Sequence, residues 1–158
     1  MVNVMKEKGF TLIEMVTVIA ILGIVSMFSI GAYTYQAKHE MKTLTEYMGQ
    51  TIQVIQQKAS LENAKYTLSV EIEKGKTYIE VIGNRVRILQ YEIPKTLEVV
   101  FQTDFIDRSK IEFAQDMSPT SAGTIYVKHR YLPYQIKMTV RPVTGIVTIY
   151  PLEEIEKD

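Results

Sequence analysis

Lys6-Glu7-Lys8-Gly9-Phe10-Thr11-Leu12-Ile13-Glu14 opens a chain of 158 residues and is followed by 23 residues, 15–37, without one charged side chain. A helix of that length reaches across a hydrocarbon core roughly 30 Å thick at about 1.5 Å per residue. The segment therefore reads as membrane-spanning, and Glu14 enters lipid with it. An ionised carboxylate at mid-bilayer costs about 2.5–3.5 kcal/mol on insertion scales, so a residue of this kind has a partner or a task.

Two plainer readings fit less of the stretch. A secretory signal has a short apolar core with a small-residue cleavage site after it. Here the run is longer, Glu14 lies near its start, and Ala32 is followed by Tyr33 and Tyr35, which read as interfacial aromatics. An uncleaved anchor explains how Lys6 and Lys8 hold the amino terminus in the cytoplasm. It does not explain Gly9, Phe10 and Glu14 together.

A basic leader, a glycine, Phe10-Thr11-Leu12-Ile13-Glu14 and an apolar helix resemble the processing site of type IV prepilins and pseudopilins. The resemblance implies cleavage by a prepilin peptidase and methyltransferase between Gly9 and Phe10, and N-methylation of Phe10. It implies that Glu14 pairs with the amino terminus of a neighbouring subunit during filament assembly. A desolvated charge strongly prefers an opposite charge to isolation, which suits that role. Many pilins close a carboxy-terminal loop with a disulfide; this chain has no cysteine, so packing alone must hold its head.

The same absence excludes thiolate metal sites and Cys nucleophiles. With 18 basic and 18 acidic residues the chain has no net charge, and loss of residues 1–9 leaves 16 against 17. No overall field draws nucleic acid or a membrane surface to it.

After Gly31, Met41, Leu44, Met48, Ile52, Ile55 and Ala59 recur three or four residues apart. One helix is expected over residues 10–62, its first part in the membrane and its second presenting an apolar face to a head. Gly23 and Gly31 interrupt it; with Ser26 and Ser29 they read as small residues for close helix packing rather than as a hinge.

From Tyr66 the period becomes two. Strands are expected over residues 66–72, 78–82, 85–89, 97–101, 111–113, 124–128, 134–140 and 146–150, with turns at Lys74-Gly75-Lys76 and Gly83-Asn84. The fold class is α+β: a long N-terminal helix packed on an antiparallel β-sheet head of about seven or eight short strands. The organisation is a leader at 1–9, a transmembrane and assembly segment at 10–37, an amphipathic helical segment at 38–63 and a β-rich head at 64–158. Met117-Ser118-Pro119-Thr120-Ser121-Ala122-Gly123 reads as a surface loop, and Glu153-Glu154-Ile155-Glu156 as a frayed terminus. Ile111-Glu112-Phe113, Ala122-Gly123-Thr124-Ile125, Tyr134-Gln135-Ile136 and Thr144-Gly145-Ile146-Val147 resemble the H-type minor pseudopilins of the general secretion pathway.

No catalytic constellation is present. His39 and His129 are the only histidines. His39 reads as a solvated position on the helix and His129 as a strand end or hairpin tip, and neither has acid/base, nucleophile or metal-ligand spacing. No cofactor is implied. Asp104, Asp107 and Asp116 do not spell a calcium loop, and Arg108 argues against one, so no metal is expected. Lys128, Arg130, Lys137 and Arg141, with Tyr131, form a candidate nucleic-acid patch; the plainer reading, solvent-facing strand residues, is preferred over DNA binding.

The expected partners are other pilin or pseudopilin subunits, the peptidase/methyltransferase, the cytoplasmic membrane and an inner-membrane assembly platform, with the head outside the cytoplasm. Retention of Glu14 favours a subunit that inserts between others over a tip subunit. The contrasting reading is a membrane-anchored extracytoplasmic binding module that forms no filament.

Overall fold

The computed structural model describes residues 10–103, 110–114, 116, 118–119 and 123–155. Gly9 and the rest of residues 1–9, expected as a leader, lie outside the described residues, as do Asp104, Asp107, Arg108, Met117, Thr120, Ser121, Ala122 and Glu156, and with them most of the calcium question and much of the 117–123 loop. The element order is α1 (Leu12–Leu61), β1 (Tyr66–Glu73), β2 (Lys76–Gly83), β3 (Val86–Glu92), β4 (Leu97–Thr103), β5 (Lys110–Phe113), β6 (Gly123–His129), β7 (Tyr134–Val140) and β8 (Val147–Glu154). The chain forms two compact units, Met1–Gln36 and Ala37–Asp158.

In the first unit the described side chains from Leu12 to Tyr33 are exposed. Leu12, Ile13, Val16, Ile19, Leu22, Ile24 and Ile30 are thus left largely uncovered by the described residues. Water would penalise such a surface by about 25 cal/mol per Å², so it belongs in lipid or against other apolar helices. The hydroxyls of this stretch are satisfied internally. Thr17 donates to the Ile13 carbonyl at 2.7 Å, Ser26 to Leu22 at 2.7 Å, Ser29 to Val25 at 3.0 Å and Thr34 to Ile30 at 3.2 Å. Each bond hides a polar group that lipid would leave unpaired. Added Cβ atoms at Gly23 and Gly31 would meet nothing within 4 Å, so neither glycine serves packing inside the chain.

In the second unit the helical stripe of Met41, Leu44, Met48, Ile52, Ile55 and Ala59 is buried. α1 ends because Asn63 takes a left-handed conformation with φ 50°. The Ala64 amide then donates to the Ala59 carbonyl at 3.0 Å and the Asn63 amide to Ser60 at 3.4 Å. That paired closure satisfies carbonyls the helix leaves free, and asparagine tolerates the conformation better than most side chains.

The eight strands divide into two antiparallel sheets, ordered β3-β2-β1-β5 and β4-β6-β7-β8. Ile93 is buried and Pro94 follows it, where a missing N–H suits a chain leaving one ladder for another. Leu68, Ile79, Val81, Ile111 and Phe113 of the first sheet share one core with Ile125, Val127, Ile136, Met138 and Val140 of the second and with the α1 stripe. The 38–63 segment and the β-rich segment therefore fold as one unit around a common core.

Two hairpin turns carry the short-loop signature. Lys74 and Gly75 have φ 51° and 77°, and Asn84 and Arg85 have φ 51° and 66°. Positive φ at both central residues matches the strand twist. The second turn corrects the expected strand at 85–89: Arg85 is a turn residue, and β3 starts at Val86. Opposite Val81 and Ile82 stand Leu89 and Arg87, so Ile88 is an extra residue that bulges β3.

The carboxy-terminal expectation is also corrected. Glu153 and Glu154 belong to β8 opposite Gln135 and Tyr134, and the Ile155 amide donates to the Pro133 carbonyl at 2.8 Å. Backbone pairing to an ordered neighbour outweighs the repulsion of adjacent carboxylates. Pro151 is tolerated because β8 is an edge strand with a register shift there: Ile136 and Met138 pair with Leu152 and Ile149.

Candidate functional site

Phe10, Thr11 and Glu14 surround the start of α1. The Thr11 amide and hydroxyl both donate to Glu14 Oε2, at 2.9 and 2.8 Å, and the Glu14 amide donates back to Thr11 Oγ1 at 3.4 Å. This reciprocal arrangement caps the helix, with the carboxylate reaching the backbone N–H three residues earlier. The Glu14 carboxylate is therefore held at the mouth of the helix by Thr11, the residue after Phe10. Phe10 is exposed, as are Leu12 and Ile13. The arrangement can present a negative group and an apolar side chain together at the start of the helix.

Thr11 was not singled out by sequence reasoning as the partner of Glu14. The signal was present in the Thr11-x-x-Glu14 spacing, overshadowed by the role the resemblance gave the carboxylate.

The candidate patch on the second sheet is split. Tyr126 pairs with Lys137 across β6 and β7. Lys128 Nζ lies 5.7 Å from the Tyr126 ring centroid, and Lys137 Nζ lies 5.3 Å from that of Tyr150. These four share the face opposite the buried Ile125, Val127, Ile136 and Met138. Glu98 stands opposite Lys128 in the ladder. Arg130 lies beyond the end of β6 and donates from Nε to the Leu97 carbonyl at 3.3 Å. Arg141 follows the other end of β7. The structure thus brings Lys128 and Lys137 together and leaves Arg130 and Arg141 at opposite ends.

His129 ends β6, as a strand-end histidine should, and is buried. Its Nδ1 accepts the Tyr131 amide at 3.2 Å and the Leu132 amide at 3.1 Å. Burial pushes its pKa down, against the upward pull of the Glu40 carboxylate. Its ring locks a turn. His39 is exposed, with the Thr43 hydroxyl 3.4 Å from its Nδ1. Asp116 accepts from the Ser118 amide at 3.0 Å and from the Ser118 hydroxyl, which hold its carboxyl below the usual range.

Residues 4–30 match the family model described as the prokaryotic N-terminal methylation motif. The chain carries a prepilin-type methylation motif. The match includes Gly9, Phe10, Glu14 and the greater part of the exposed apolar helix. A sequence comparison with curated proteins returns no match. Among solved structures, the minor pseudopilin EpsH from the type 2 secretion system of Vibrio cholerae is similar, with a TM-score of 0.54 and 11% identity, over 70% of this chain and 96% of that one. At that identity the likeness concerns the fold: a long amino-terminal helix with antiparallel sheets is the architecture of a pseudopilin. The methylation motif and this fold occur here in one chain.

Proposed function

We propose that this protein is a minor pilin or pseudopilin, a structural subunit of a type IV filament-family machine. On this reading prepilin peptidase cuts after Gly9, Phe10 is N-methylated, and the subunit enters a filament through its apolar helix. The observation that carries it is the capped start of α1, where Glu14 and Phe10 lie at the head of a helix whose first apolar stretch is left exposed among the described residues. Glu14 first caps its own helix; a charged amino terminus on a neighbouring Phe10 would be a stronger partner than a neutral amide. The exchange gives the carboxylate two successive uses without leaving it unpaired in lipid.

The reading places the anchor in the cytoplasmic membrane and the head outside the cytoplasm, with sibling subunits and an assembly platform as partners. The EpsH-like fold supports a pseudopilin-like head; type IV pili, type II secretion and DNA uptake share the amino-terminal logic. An adjacent secretin operon, pilus ATPase or competence cluster among the neighbouring genes would name the machine. Mass spectrometry of the protein from cells containing the peptidase is the direct test. A methylated Phe10 terminus supports the proposal, and an intact Met1 terminus overturns it in favour of a membrane-anchored binding module.

A further inference from the structure

The second unit has one end marked by its contacts with residues 38–40 of α1, which directly follow the uncharged run. Lys38 Nζ lies 4.3 Å from the Tyr134 ring centroid. The Thr96 hydroxyl donates to Glu40 Oε2 at 3.2 Å, and the Arg130 amide donates to the Thr96 carbonyl at 2.9 Å. The β4 start, with exposed Lys95 before it, and the β6–β7 turn at residues 130–133 are thus gathered where the helix leaves the uncharged segment.

That turn is held firmly although it lies at the surface. His129 Nδ1 accepts two of its amides, Arg130 Nε reaches the Leu97 carbonyl, and the Pro133 carbonyl accepts the Ile155 amide. Tyr131, at its tip, is nevertheless 71% exposed. Its ring meets the His129 ring edge-on, with centroids 6.0 Å apart. A locked turn that leaves an aromatic ring in solvent, beside Lys38, Lys95 and Arg130, has the composition of a membrane-interface anchor. Tyrosine sits at the headgroup level with its ring in the acyl boundary, and Lys or Arg pair with phosphates. Of the nearby carboxylates, Glu40 accepts from Thr96, Glu98 is opposite Lys128, and Glu154 is opposite Tyr134.

We propose that residues 130–133, with Lys38 and Lys95, form a platform for the phospholipid headgroup layer. It steadies the head on the membrane before the subunit enters a filament. The proposal rests on the membrane-anchored reading, and its test separates the two.

The chain contains no tryptophan, so a single introduced one reports its own surroundings. The full chain is reconstituted in phosphatidylcholine–phosphatidylglycerol vesicles whose acyl chains are brominated, one batch near the glycerol to report on the interface and one near the methyl ends to report on the midplane. Three variants are compared: Tyr131→Trp at the platform, Val143→Trp in the β7–β8 turn at the far end of β7, and Ile24→Trp in the apolar helix. The expected result is loss of emission for Ile24→Trp and Tyr131→Trp, with none for Val143→Trp. Quenching of Tyr131→Trp should diminish when Lys38→Glu and Lys95→Glu are added; undiminished quenching overturns the assignment of those cations. An unquenched Tyr131→Trp beside a quenched Ile24→Trp overturns the platform and leaves the anchor standing. An unquenched Ile24→Trp overturns the anchor itself.

Discussion

Replacing Gly83 by alanine tests how the first sheet is packed. Gly83 lies directly opposite Tyr66 in the ladder. A Cβ there would stand 2.5 Å from Tyr66 Cε1, 2.9 Å from its Cδ1 and 2.6 Å from Ile88 Cδ1. Ile88 is the half-exposed bulge residue, and its terminal methyl can rotate away. The Tyr66 ring is buried and its hydroxyl donates a hydrogen bond to Glu62, an exposed residue. Relief to a normal separation moves the ring by about 1 Å, enough to break that bond.

Overpacking costs about 1–3 kcal/mol, and the lost bond to a solvent-screened carboxylate adds about 1. Reduced freedom of the unfolded chain returns about 0.4–1. The net expectation is a loss of about 1–3 kcal/mol, read as a lower urea midpoint at unchanged slope for the protein in detergent micelles. In a Tyr66→Leu background the same substitution should cost much less, because the obstacle is gone. A loss below about 0.5 kcal/mol, or an equal loss in both backgrounds, would refute the reasoning.

Other perturbations probe the remaining claims. Glu14→Gln keeps a side chain able to cap Thr11, since glutamine serves that position too; it should be inserted and cleaved yet be absent from purified filaments, and normal incorporation would show that the charge is dispensable. Because burial holds His129 below its ordinary 6.5, the unfolded chain binds more protons around that pH. Its contribution should be whole above pH 6.5 and fade on acidification, with His129→Asn flattening the denaturation profile below that point. Tyr66 is pushed up to about 12, first by its bond to Glu62 and then by burial and the Glu62 charge. Stability should therefore fall between about pH 10 and 12, a loss that Tyr66→Phe removes. Lys128→Ala with Arg130→Ala should leave retention on a DNA column unchanged, since Glu98 stands opposite the one and the other lies beyond the end of β6, away from Lys137; a clear drop would revive the nucleic-acid reading.

The helix and strands were legible because burial repeats with a period. Met41, Leu44, Met48, Ile52, Ile55 and Ala59 mark one face of α1, and alternation marks β1, β6 and β7. The methylation motif was legible for a different reason: residues 4–30 are one continuous stretch, so matching them needs no folding to assemble it. Errors fell where pairing partners decide. Residues 153–155 carry two carboxylates and look unfoldable until Gln135, Tyr134 and Pro133 stand beside them.

By itself, then, the sequence determined the methylation motif, the uncharged helix, the alternating strands and the position of Glu14, all properties of neighbours along the chain. Only the tertiary structure decided that eight strands separate into two sheets, with β5 returning to β1 and β6 passing over to β4. It alone joined residues 96 and 130–134 to Lys38 and Glu40. Those choices depend on which apolar faces cover one another across large sequence separations, and short alternating strands fit many partners until the core selects one set.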